Sequence, residues 1–143
     1  MNETAAYPES LARVIEEFAS APKTLRLPLL LEYARKLPPP PEGLGELEQV
    51  HECQTPLFLR AEVGDDGRVA LHFDAPEEAP TTRGFASVVH AGLSGATAPE
   101  VLATPEDFYT RMGLSELISP LRLRGMSAIV TRVKRQVREK SAA

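Results

Sequence analysis

Leu57-Phe58-Leu59-Arg60-Ala61-Glu62-Val63, then Gly64-Asp65-Asp66-Gly67, then Arg68-Val69-Ala70-Leu71-His72-Phe73 is the stretch that decides the fold. Leu57, Leu59, Ala61 and Val63 alternate with Phe58, Arg60 and Glu62, the period of two that turns one face of a strand to a core and the other to solvent. Gly-Asp-Asp-Gly is turn chemistry. Val69, Leu71 and Phe73 alternate again beyond it, which predicts an antiparallel hairpin. Residues 47–52, just upstream, are expected to add a short strand.

On the N-terminal side the period changes to that of helices. Leu11, Val14, Ile15 and Phe18 form an i, i+3, i+4, i+7 stripe behind Pro8 and Glu9. A second helix is expected over 24–36, with Thr24 as its cap and Pro28 tolerable only in its first turn. Pro38-Pro39-Pro40-Pro41 must end it, because proline has no amide hydrogen and clashes with a continuing helix. The run then reads as a stiff, extended spacer.

The C-terminal side is also helical. Phe85, Val88, Val89 and Leu93 make an apolar stripe that Thr81 and Thr82 are expected to cap and Gly95 to stop. Thr97-Ala98-Pro99-Glu100 and Thr104-Pro105-Glu106-Asp107 each place a capping hydroxyl, an early proline and acids in a first turn, and Gly113 ends the second of these short helices. Ser119-Pro120 opens a long helix carrying Met126, Ile129, Val130, Val133 and Val137 inward. The order of elements implies an α+β fold, a small curved antiparallel sheet of about three strands flanked by helices. Residues 1–143 are expected to form a single domain, with 1–7 and 141–143 as flexible termini.

The chain has 143 residues, 43% of them hydrophobic and 25% charged, which is ordinary globular usage. Its apolar runs fall well short of the roughly 20 residues of a membrane span. Met1-Asn2-Glu3-Thr4 lacks a basic stretch followed by an apolar core, so no secretory signal is expected and the cytoplasm is the expected compartment. Half of the 16 basic residues lie between Arg111 and Lys140, yet the net charge is -4. No aromatics interleave with those arginines to stack on bases, which argues against nucleic acid. A solvated helix face is the ordinary reading of such a basic stretch.

The sequence contains one cysteine, Cys53. A single thiol cannot make an internal disulfide, a four-ligand zinc site or a complete iron–sulfur ligand set. It lies in His51-Glu52-Cys53-Gln54-Thr55-Pro56, between two expected strands. Free cysteine is ordinarily a buried, inert hydrophobe. Here the neighbours are polar, the segment is a connection, and Pro56 discourages a regular ladder. In an extended segment His51 and Cys53 would face the same side, so a Cys53–His51 dyad of a small hydrolase or transferase is an alternative. A third reading is an interaction module in which Cys53 is buried filler. His72 and His90 read as structural. No phosphate-binding glycine loop, dinucleotide fingerprint or nucleophile elbow is present. No metal-ligand spacing is convincing, and no cofactor is expected.

Three segments together carry a resemblance. Val50-His51-Glu52-Cys53-Gln54-Thr55-Pro56-Leu57-Phe58-Leu59, then Arg83-Gly84-Phe85-Ala86, then Gly113-Leu114 with Ile118-Ser119-Pro120-Leu121-Arg122-Leu123-Arg124-Gly125-Met126 resemble, in order and spacing, the SufE proteins. These are sulfur acceptors for cysteine desulfurases in iron–sulfur cluster assembly. The resemblance implies an α+β fold like that of the cluster scaffold IscU. It implies a carrier and desulfurase activator that is not an enzyme in its own right, with Cys53 taking persulfide sulfur. Arg122 and Arg83 are candidate cationic supports, with Glu52, Gln54 and His51 beside the thiol. The implied partners are a pyridoxal-phosphate-dependent, SufS-like cysteine desulfurase and a SufB-like iron–sulfur scaffold, with no membrane; whether the carrier also pairs as a homodimer is left open. A lone cysteine suits this task, because a second would resolve the persulfide into a disulfide and release sulfide. Glu52 stands where the family has glycine, Glu77-Glu78 replaces Ser-Asp, and Phe58 replaces tryptophan. The Glu52 carboxylate is expected to raise the thiol's pKa unless Arg122 or a partner offsets it.

Overall fold

A computed structural model of the chain describes residues 7–141. The alternating stretch forms the centre of a three-stranded antiparallel sheet, ordered β1 (Glu48–Gln49), β2 (Phe58–Val63), β3 (Val69–Asp74). Leu59 pairs with Phe73, Ala61 with Leu71 and Val63 with Val69, so the small and large apolar side chains share one face. Arg60 opposite His72 and Glu62 opposite Ala70 share the other. The turn closes on its own backbone. The Gly64 amide donates to the Arg68 carbonyl at 2.9 Å. Gly67 adopts φ +79°, a left-handed conformation that other residues rarely adopt. The strand expected over 47–52 shrinks to two residues, because the chain turns at His51. Only the Val50 amide, 2.8 Å from the Leu57 carbonyl, extends the pairing.

Five α-helices surround the sheet: α1 (Glu9–Ser20), α2 (Lys23–Lys36), α3 (Pro80–Leu93), α4 (Ala98–Leu102) and α5 (Pro120–Ser141), with a short 3-10 turn at Phe108–Met112. The fold is therefore α+β, as the pattern implied. The expected stripes of α1 and α5 are the buried ones. Helix α5 packs on β2 and α3 on β3, and α1 and α2 cover α3 in turn. The backbones approach closely there. A Cβ at position 84 would stand 2.7 Å from the Leu30 carbonyl oxygen, and one at position 92 would stand 2.5 Å from Leu11 Cδ1. The buried apolar side chains form one continuous cluster.

Three helix starts differ from expectation. Helix α2 begins at Lys23 behind Pro22, with no side-chain cap from Thr24, so Pro28 falls beyond the first turn. Arg26 steadies that irregular start, donating to the carbonyls of Phe18 and Ala19 at the end of α1 and of Ala21 just beyond it. Helix α3 begins at Pro80 with Ala79 at the cap position, because proline presets the first helical φ; Thr81 and Thr82 lie inside it. Thr104 caps no helix. Its hydroxyl donates back to the Glu100 carbonyl at 3.0 Å, and the next element is the 3-10 turn, which Gly113 ends. The capping box at Thr97 and Glu100 and the Ser119 cap of α5 form as read.

The expected flexible termini fall largely outside the described residues. Of those within them, Tyr7 is buried in the core and Ser141 ends α5. No helix of the described chain is long and apolar enough to cross a membrane.

Candidate functional site at Cys53

Cys53 sits in the turn that joins β1 to β2. Its amide donates to the Val50 carbonyl at 3.2 Å, which curls the chain and leaves His51 and Glu52 pointing outward. The side chain turns the other way, onto α5. The thiol lies 4.0 Å from the Gly125 carbonyl, and a Cβ at position 125 would stand 3.2 Å from Sγ. Glycine at this point of α5 is what lets the thiol seat. Thr55, two residues on, shares a 2.8 Å hydroxyl–hydroxyl bond with Thr82 of α3.

Beside the half-buried thiol opens a cleft of about 320 Å³. Glu52, Cys53, Gln54 and Thr55 form one wall. The first turns of α3, at Pro80–Thr82, and of α5, at Leu121 and Arg122, form the others. Two helix N-termini therefore border one space, each carrying partial positive charge, although both begin at a proline and the Arg122 amide is already bonded to Ser119. The carboxylates of Glu52 and Glu78, which line the same cleft, oppose an anion there, and the positive charge favours one.

Burial works in the opposite sense. It is the largest influence on Cys53; with the neighbouring Glu52 carboxylate it pushes the thiol up to about 11, against a smaller opposing pull from Arg132. The expected effect of Glu52 is thus present, but the cation that offsets it is Arg132 rather than Arg122. Arg132 donates to Glu52 at 2.6 Å and to Glu48 at 2.7 Å. Burial alone would raise Glu48, but bonds from Gln136, Arg135 and Arg132 hold it below the usual carboxylate range. Gln136 extends the network to the sheet, accepting from the Ala61 amide at 2.7 Å. No local signal reveals Arg132, which is 80 positions from Glu52. Its spacing of two helical turns from Gly125 is the only clue, and it becomes one only after Gly125 is placed beside the thiol.

The other candidate residues separate clearly. Gln54 is exposed on the cleft rim, and Arg122 lines the cleft. Arg83 does not. Its guanidinium donates to the carbonyls of Ala34, Leu37 and Ala75, tying the end of α2 to the end of β3. His51 is exposed and forms no part of the cleft wall, so the turn removes the same-side geometry that a Cys53–His51 dyad requires. Among the described residues, no three His, Cys, Asp or Glu side chains gather to hold a metal ion.

Residues 12–137 match the family model described as SufE, an Fe-S metabolism associated domain. A SufE-like protein of Mycobacterium tuberculosis is 55% identical over 141 residues, covering 97% of this chain and 99% of the relative. The sulfur acceptor protein CsdE of Escherichia coli K12 is 26% identical over 102 residues, covering 70% of this chain and 68% of CsdE. The solution structure of a hypothetical protein from Thermus thermophilus superposes with a TM-score of 0.88 at 48% identity, covering 96% of this chain and 99% of that one.

Proposed function

The chain belongs to the SufE family, and we propose that it is a sulfur carrier that accepts persulfide sulfur from a cysteine desulfurase on Cys53 and passes it to an iron–sulfur scaffold in the cytoplasm. The observation that carries this reading is the placement of the single thiol: half-buried, in a connecting turn, at the edge of a cleft bordered by two helix N-termini.

The transfer balances without an oxidant. The Cys53 proton leaves to solvent. The thiolate then attacks the outer sulfur of the desulfurase persulfide, a new S–S bond forms on Cys53, and the enzyme's S–S bond breaks with its electron pair on the enzyme's thiolate. The product is a Cys53 persulfide. The N-terminal ends of α3 and α5, with Arg122 nearby, offer positive charge to its negative outer sulfur, against the Glu52 and Glu78 carboxylates on the same cleft. At rest the thiol is pushed up to about 11, so it is mostly protonated at neutral pH and becomes a good nucleophile only when its surroundings change. That suits a carrier whose reactivity is needed only against a docked partner.

The test is incubation with a cysteine desulfurase and isotopically labelled cysteine, followed by intact mass measurement. Wild type is expected to gain one sulfur atom and Cys53→Ser none. A gain that persists in Cys53→Ser, or none on wild type, refutes the carrier.

A further inference from the structure

Three side-chain attachments hold the Cys53 turn to the body of the protein. Sγ meets the Gly125 carbonyl, Thr55 meets Thr82, and Glu52 meets Arg132. The first is a weak thiol contact and the second a neutral hydrogen bond. The third, at 2.6 Å, joins two full charges and is the strongest kind of bond among them.

The two halves of that ion pair are not equivalent. Arg132 is fixed from behind: Glu48 accepts from it, Arg135 and Gln136 hold Glu48, and Gln136 is bonded to β2. Its side chain is only 20% exposed, against 44% for Glu52, and its buried Nε has no acceptor among the described residues. The guanidinium is therefore oriented by the two carboxylates, with Glu48 as the permanent partner and Glu52 as the one that solvent can reach. Glu52 precedes the thiol directly, so a backbone movement of the turn that draws Glu52 off Arg132 also carries Cys53 away from Gly125.

We propose that Arg132 is a positioning residue that latches the Cys53 turn shut through Glu52, and that release of Glu52 is the step that exposes the thiol. As a device for sulfur transfer it rests on the carrier reading above; as a mechanical claim about the turn it does not. Opening takes the thiol out of its buried seat, so one event delivers both access and easier ionisation.

The test exploits two effects of opposite sign. Arg132→Met removes a cation that favours the thiolate, so charge alone predicts slower alkylation of Cys53 by iodoacetamide in the native protein. The latch predicts faster alkylation, by about threefold to fivefold, the scale on which a partly exposed ion pair shifts an equilibrium. Arg132→Lys keeps a cation toward Glu52 and is expected to return the rate to within about twofold of wild type. Amide exchange should rise across residues 51–55 and not along α5, which separates opening of the turn from general loosening. An unchanged or slower rate in Arg132→Met overturns the latch, and so does a lysine variant as fast as the methionine one. If Arg132→Met does not fold, Glu52→Gln decides, since it leaves the Glu48–Arg132 pair in place: unchanged exchange at 51–55 overturns the proposal. None of these measurements involves a desulfurase. A protein that accepts no sulfur but alkylates faster loses the carrier reading and keeps the latch, and the converse result loses the latch alone.

Discussion

The two connections of the sheet are tied to the rest of the protein in different ways. The turn between β2 and β3 is held mainly by main-chain bonds, within itself and to the segment after α3, where the Ala98 amide donates to the Gly67 carbonyl at 3.0 Å and the Gly95 carbonyl accepts from the Arg68 guanidinium. The Gly64 amide meets the Arg68 carbonyl, Asp66 accepts from the Arg68 amide at 3.0 Å, and Gly67 supplies the left-handed backbone. The connection between β1 and β2 has two main-chain bonds of its own, from the Val50 and Cys53 amides, and is otherwise held by side-chain contacts to Thr82, Gly125 and Arg132, at separations of 27, 72 and 80 residues. A turn fixed by main-chain bonds, its own and those of a neighbouring segment, opens only when those bonds break. A turn held by side chains of distant helices can be released without unfolding the sheet, and it is this one that carries the thiol.

The comparison is broken most severely through ionisation. With Cys53 pushed up to about 11, the native alkylation rate should climb about tenfold per pH unit through pH 8 to 10 and level off only near 11, whereas an unfolded thiol levels off around 8.5. Since the folded state holds the proton to higher pH than the unfolded chain does, Cys53 contributes stability that is full below the unfolded pKa and is lost as pH rises toward 11. A pH–rate profile with a midpoint near 8.5, the ordinary value for a free thiol, would show that the seat at Gly125 does not form. Next in size is Gly125→Val, which fills that seat. Overpacking there is expected to cost about 1–3 kcal/mol in chemical denaturation and to drive the thiol outward, with faster labelling. The smallest effects set the two turns side by side. Thr82→Val removes one tether of the Cys53 turn and is expected to cost about 1 kcal/mol, with faster exchange at residues 51–55. Asp66→Ala should cost about 0.5 kcal/mol or less and leave Cys53 labelling unchanged. Equal effects of these last two substitutions on labelling would erase the distinction between the turns.

The same contrast explains what the sequence made legible. The hairpin could be read because its determinants are adjacent: the alternation, the two glycines and the aspartates all lie within it. The stripes of α1 and α5 were legible for the same reason. Cys53 stood out by uniqueness and position. What surrounds it did not, because Gly125 and Arg132 are brought to the thiol by the packing of α5 on β2, and no local spacing encodes that. Arg83 shows the converse. Chosen through resemblance as a cationic support, it spends its donors on three main-chain carbonyls and holds up the scaffold instead. Thr81, Thr82 and Thr104 were read as caps by type, but other partners took two of the three hydroxyls, and Pro80 set the start of α3.

Gly84 and Gly92 reverse a common rule of protein engineering. In an ordinary helix interior, exchanging glycine for alanine narrows the freedom of the unfolded chain, and the change favours the native state by roughly 1 kcal/mol. On α3 the added methyl would meet the Leu30 carbonyl oxygen at one site and Leu11 at the other, wedging apart the helices that lie against it. A stabilising campaign on this scaffold should therefore leave α3 alone and work on surfaces where nothing leans that close.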